Sequence, residues 1–276
     1  MAGRVRRDEG VLRGALVCVV GLVLLLLAGA GAAECRLENQ DPRGLQEVTV
    51  ERVLGFDELR LTDGRGVRLI GLAPAAPLRE VMAPLRDLRL HEGLRAALEA
   101  RLDETGYRLI LRPGRPARDA QGRPRVHAWS DDGVLLAAGL IAAGAAMPRP
   151  GPQPEPLDAC LFAAEAEARA AKQGLWLERP EALPARTLDP LDGTLRQGRL
   201  RVQGEVIAVR ETPRHWVLEL DGPLDLLIHN DDRDHWPNLA PESLNGEAVI
   251  ARGQVYPWRD RLRMRMRHPL DLEVVE

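Results

Sequence analysis

The chain has 276 residues, 45% hydrophobic and 29% charged, with a formal net charge of -3. That size and balance fit one or two globular domains with buried cores, and they exclude a disordered polyelectrolyte. No basic surplus announces a nucleic-acid partner; all but Lys172 of the 38 basic residues are arginine, but the bias runs through the whole chain, as an arginine-biased genome would produce.

Arg4, Arg6, Arg7 and Arg13 precede the uncharged run ALVCVVGLVLLLLAGAGAA, which closes on small residues suited to signal-peptidase cleavage near Ala30-Gly31-Ala32. Residues 1–33 read as a signal peptide, with an uncleaved membrane anchor as the alternative because the run approaches spanning length. Glu34, immediately before Cys35, argues against a lipoprotein. Either way the remainder is expected to be exported, periplasmic or secreted, or held at the inner membrane by the anchor. Cys18 falls in the signal, leaving Cys35 and Cys160 for an oxidising compartment. A bridge between them would enclose most of the first domain; the alternative is two unrelated thiols.

Val48–Val53, Glu58–Thr62 and Val67–Leu72 alternate or run apolar, with turns at Gly55-Phe56 and Asp63-Gly64, the pattern of a β-meander. His91–Asp103 places Leu94, Leu98 and Leu102 at four-residue spacing, one stripe of a helix that stops near Gly106. Tyr107–Leu111 and Arg125–Trp129 read as strands joined by a polar loop, RPGRPARDAQGRP. Asp131-Asp132-Gly133 turns into a short helix over Val134–Ala143. MPRPGPQPEP reads as too proline-rich for regular structure. The Ala-rich stretch from Asp158, a candidate N-cap, is strongly helix-forming and ends before Gly174, with Trp176 packing back on the core. Residues 177–195 read as a linker. Arg201–Val209, Trp216–Leu220, Leu224–Ile228, Ala248–Val255 and Leu262–Arg267 are strands of a second unit, a small barrel or sandwich.

Three segments occur in a recognisable order: FDELRLTDGRGVRLIGL, RPARDAQGRPRVHAW and CLFAAEAEARAAKQGLW. Over about residues 46–176 the chain resembles the staphylococcal nuclease (thermonuclease) family. The ending RMRMRHPLDLEVV resembles the small β domain that follows the nuclease domain in some exported bacterial relatives. The resemblance implies an α+β fold: an OB-type five-stranded barrel with three helices over 34–176, then a second small OB-like β-barrel over 196–276. It also implies a Ca²⁺-dependent phosphodiesterase site with two metal aspartates, a glutamate that helps to activate water, and two arginines on the phosphate. The first metal aspartate falls on Asp57, the strand arginine on Arg68 and the loop arginine on Arg123, the latter two being the phosphate-binding pair. The second aspartate and the glutamate fall on Ala73 and Ala76, with Pro74 and Ala75 between them. The hairpin glycine falls on Phe56, an aromatic ill-suited to a positive-φ position.

Ca²⁺ takes six to eight oxygen ligands, so Asp57 alone would hold it weakly. Without a positioned carboxylate base, about 10²–10⁴-fold of catalysis is lost. Glu58 is expected to face away from Asp57 by strand alternation; Glu80 is the other carboxylate within reach, and Asp119 is a candidate to orient Arg123. The retained trio reads as a structural ion-pair cluster, as an anion site, or as a catalytic site with a substitute carboxylate.

In the second unit, Arg259, Arg261, Arg263, Arg265 and Arg267 recur at every second position, so that on a strand they share a face opposite Leu262, Met264 and Met266. Such a row could track a phosphate backbone, with Trp216, Trp236 or Trp258 as stacking surfaces. Alternatively Asp231, Asp232 and Asp234 neutralise it as a salt-bridged sheet face. The expectation is therefore an exported nuclease-like protein, catalytically degenerate, with residual phosphate or single-stranded nucleic-acid binding and no cofactor. The alternatives are an active nuclease using Ca²⁺, Asp57 and a substitute carboxylate, and an envelope structural or protein-interaction module.

Overall fold

A computed structural model describes residues 35–76 and 90–275. The expected signal segment and Glu80 lie outside the described residues. The first unit is a closed barrel of five strands: β1 (Gln46–Gly55), β2 (Glu58–Leu61), β3 (Gly66–Leu69), β5 (Arg108–Arg118) and β6 (Pro124–Ser130), in the order β1-β2-β3-β6-β5. All pairs are antiparallel except β3 with β6. Closure leaves no free edge among the five, which is how a small barrel protects its ladder. With the helices below, this is an α+β unit compatible with an OB or staphylococcal-nuclease-like fold.

Alternation along β2 and β3 buries Leu59, Leu61, Val67 and Leu69 in the barrel core. Helix α1 (Leu90–Glu104) caps it with Leu94, Leu98 and Leu102, each at most 1% exposed. Full burial of each leucine stabilises by roughly 1.5–3 kcal/mol. Helices α2 (Leu136–Ala142) and α3 (Asp158–Ala170) pack on each other, and α3 is tied to the chain start by the Cys35–Cys160 disulfide. Asp158 is the first residue of α3 rather than its cap, and its carboxylate accepts the Glu155 N–H at 2.7 Å.

Two proline-rich stretches are more regular than their composition suggests. The segment read as a loop after Leu111 continues β5 to Arg118; Pro113 and Pro116 lie beyond the residues of β5 that pair with β1, where a missing N–H costs no ladder bond. Met147–Arg149 forms β7, pairing with β4 (Gly71–Ala73). The apolar run Val67–Leu72 is thus two strands, broken at Ile70, with Gly71 opening the second. There φ is +105° and a Cβ would sit 2.9 Å from Ala137, so only glycine fits.

The second unit is a β domain of eight strands. Its path runs β13 (Val255–Trp258), β14 (Arg261–Arg265), β11 (Leu224–His229), β10 (His215–Leu220), β9 (Leu200–Glu211), β12 (Ala248–Gly253) and β15 (Leu272–Val274), with β8 (Leu183–Pro184) also on β9. Only Gln254 separates β12 from β13, yet they lie far apart along the path, so the sheet must curl around its core of Leu218, Leu226, Ile228, Leu262, Met264 and Met266. Residues 177–195 cross between the units as packed chain, with Ala185, Leu188 and Leu195 buried in that second core. Among the described residues no helix is long and apolar enough to cross a membrane.

Candidate anion site and the domain junction

Asp57, Arg68 and Arg123 do come together at the barrel mouth, joined by two further carboxylates. Arg68 Nε donates to Asp57 Oδ2 at 2.8 Å, and its guanidinium lies 3.7 Å from Asp119 Oδ2. Arg123 Nε donates to the same Asp119 oxygen at 2.7 Å and its Nη1 to Glu58 Oε2 at 3.1 Å. Asp119 therefore does orient Arg123; its Oδ1 also accepts the backbone N–H groups of Gln121 and Arg123. Burial pushes the Asp119 carboxyl up, but the Arg123 amide and guanidinium outweigh it and hold the group below its ordinary value. Reciprocally, the hydrogen bond to Asp119 raises Arg123, against desolvation.

Two expectations fail at this hairpin. Glu58 does not face away: it pairs directly across from Arg68 in the β2–β3 register, and such cross-strand partners share a face. Asp57 precedes β2 in the turn, so strand alternation never related the two. Nor does Phe56 need a left-handed backbone; among the described residues the positive-φ non-glycine positions are Tyr107, Lys172 and Arg259. Phe56 instead packs on the barrel core and meets His91 edge-on at 5.3 Å.

The segment Ala73–Ala76 is built into the junction between the two units. Ala76 N–H donates to the Arg199 carbonyl at 2.8 Å and Arg199 N–H to the Pro74 carbonyl at 2.9 Å. Ala76 is fully buried in the second domain's core, and the Arg179 guanidinium donates to its carbonyl oxygen. At Gly198 a Cβ would lie 2.5 Å from the Ala75 carbonyl carbon, so the two backbones touch there. Around it runs a buried polar seam. Arg252 Nε meets Glu165 of α3 at 2.8 Å, and His268 Nε2 lies 3.2 Å from Asp158. The Ca²⁺ site implied by the resemblance does not fit these residues: Asp57 is bonded to Arg68, Ala73 and Ala76 carry no oxygen side chains, and no group of three His, Cys, Asp or Glu side chains among the described residues could hold a metal.

The arginine row of the second domain is partly neutralised. Arg261 donates to Asp225 Oδ1 at 2.8 Å and Arg265 to Asp232 Oδ2 at 2.7 Å; Arg263 lies 3.8 Å from Asp225 and 4.1 Å over the Trp258 ring. Asp225 is a partner that the sequence pattern hid, since it sits inside an apolar strand. Arg259 occupies a tight turn at φ +57° and Arg267 follows the end of β14, so neither lies within the strand. Trp258 and Tyr256 pair with Arg261 and Arg263 and share the arginine face. Trp216 pairs with Ile228, packs against the core and is covered by Arg233, while Trp236 is buried; neither tryptophan reaches the row.

Between the units lies a cleft of about 940 Å³ lined by eight arginines and three aspartates. Arg68, Arg199 and Arg265 spend their charge on Asp57, Asp271 and Asp232. Arg118 and Arg125 donate to backbone carbonyls. Arg149, Arg196 and Arg267 are exposed and have no carboxylate partner among the described residues. Although Arg149 keeps solvent-accessible surface, the surrounding cleft walls desolvate it and lower it; Arg199 and Arg68 lower it further and Asp57 offsets part of this. Tyr256, 38% exposed, forms part of the wall. No protein-family model and no curated protein matches the chain.

Proposed function

We propose that the chain is an exported, staphylococcal-nuclease-like protein that no longer hydrolyses phosphodiesters and binds phosphate-bearing ligands, nucleic acid among them. The observation that carries this reading is the fate of the segment Ala73–Ala76: where the resemblance calls for the second metal aspartate and the water-activating glutamate, the backbone is docked on the second domain. Arginines can bind a phosphate without a metal, but binding that does not favour the transition state leaves turnover unchanged. The Cys35–Cys160 bridge supports an oxidising, extracytoplasmic location.

Incubating the mature protein with single-stranded DNA and Ca²⁺ tests the proposal. The expected result is intact DNA together with salt-sensitive binding, because phosphate contacts release counterions. Ca²⁺-dependent cleavage that disappears in Asp57→Ala would overturn it in favour of an active nuclease. No binding at low salt would instead favour a structural or protein-interaction module.

A further inference from the structure

We infer that the phosphate-binding groups are not the paired arginines of the Asp57–Arg68–Arg123 cluster but Arg149, Arg196 and Arg267 of the cleft between the domains, which hold the phosphates of a single-stranded nucleic acid while Tyr256 stacks one of its bases. This rests on the binding function proposed above and relocates it to a site that needs both domains.

Four observations converge on it. First, the barrel-mouth arginines face three carboxylates, so an incoming phosphate there must displace existing ion pairs or suffer repulsion from them. Three arginines of the cleft differ, although Asp57, Asp119 and Asp271 also line it. Arg149, Arg196 and Arg267 form no ion pair among the described residues, and Arg199 and Arg68 act on Arg149 more strongly than Asp57 offsets, so an anion relieves a repulsion already present.

Second, the three come from separate parts of the chain. Arg149 ends β7 of the first unit, Arg196 ends the 3-10 turn Gly193–Arg196 of the connecting segment, and Arg267 follows β14 of the second. A ligand that meets all three carries several spaced negative charges, as a phosphodiester strand does. Third, the volume lies at the upper end of the roughly 300–1,000 Å³ of enclosed ligand sites. That is room for a few nucleotides of a single strand, whose unpaired bases are free to stack on a side chain. Tyr256 offers the exposed aromatic face on which bases stack with little regard to sequence. Fourth, the two units that form the cleft are joined by the Glu165–Arg252 and Asp158–His268 contacts and by the Ala75–Arg199 bridge, so little ordering is required on binding.

Fluorescence anisotropy with a labelled oligothymidylate of about 12 nucleotides, within the span a single OB-sized unit covers, tests this over a salt series. Arg149→Gln/Arg196→Gln/Arg267→Gln is expected to lose roughly tenfold or more in affinity. Its log K against log salt slope should flatten by about 2, the share of three phosphate contacts on a single strand. Arg123→Gln should bind like the unaltered protein. Tyr256→Ala should weaken the oligonucleotide about tenfold, within the range for one stacked base, and leave inorganic polyphosphate binding unchanged. Thermal melts establish that each variant is folded; the single variant Arg267→Gln, at an exposed residue after the strand, should lose part of the affinity and serves should the triple variant not fold.

If the unaltered protein binds and the arginine variants bind equally well, the cleft is not the site, while the general binding function stands. If the unaltered protein binds no oligonucleotide at low salt, both readings fall. If Tyr256→Ala is without effect, or reduces polyphosphate binding equally, the assignment to nucleic acid is overturned.

Discussion

Arg68 and Arg149 line the same cleft and have opposite surroundings. Arg68 belongs to a cluster in which two guanidinium groups face the carboxylates of Asp57, Asp119 and Glu58, one negative charge in excess. Arg149 has Arg199, Arg68 and Arg267 for neighbours and forms no ion pair among the described residues; Asp57 acts on it less strongly than Arg199 and Arg68 do. The difference teaches that counting arginines does not locate an anion site. What matters is how many of their charges the protein has already answered, because a paired guanidinium offers a ligand little that it does not already have.

The contrast can be broken most drastically at the junction. Ala76→Glu, which restores a carboxylate where the family resemblance asks for one, is expected to destabilise by on the order of 5 kcal/mol or more. Its charge would enter a fully buried site in an apolar core, where the neighbouring Arg179 is already engaged by the residue 76 carbonyl, at a cost comparable to the stability of a whole domain. Urea unfolding measures this, and a folded variant with Ca²⁺-dependent activity would contradict the account of the site given above. Next, Arg252→Ala leaves Glu165 buried and unpaired and should cost about 3–5 kcal/mol, read from the same unfolding curves.

The two arginine environments themselves are separated by a matched pair of variants. Asp57→Ala strips Arg68 of its main partner and is expected to cost about 1–3 kcal/mol. Arg149→Gln, which removes an unanswered charge, should change stability by no more than about 0.5 kcal/mol. Equal losses would erase the distinction between the clusters.

The smallest effect is a pH dependence. Asp119 is held below its ordinary value of 3.8 in the folded state, so the unfolded chain takes up the proton first as pH falls. Its contribution to stability is complete above that value and disappears as pH drops through the lower folded value. Acid titration of Asp119→Asn should show a shallower loss of stability below about pH 4 than the unaltered protein.

Much of the barrel was legible because its signals are local. The leucine stripe of α1, the alternation of β2 and β3 and the cysteine pair each rest on periodicity or compartment chemistry that a single segment carries. The arginine partners were legible only in part. Asp119 sits four residues before Arg123 and could be proposed as its partner, whereas Glu58 reaches it through cross-strand register and Asp225 hides inside an apolar strand. Arg149 carried no signal at all: it lies in a proline-rich stretch whose short pairing with β4 depends on where the remote helices α2 and α3 place both strands. Likewise, four residues reading Ala-Pro-Ala-Ala look only like a loss until the second domain's backbone is seen against them.

Gly198 turns that contact into a mechanical constraint. With the Ala75 carbonyl carbon 2.5 Å from where its Cβ would stand, one added methyl group acts as a wedge, prising the halves apart while every charge in the molecule stays as it was. The close seating of the two units at this point thus depends on an atom the protein leaves out.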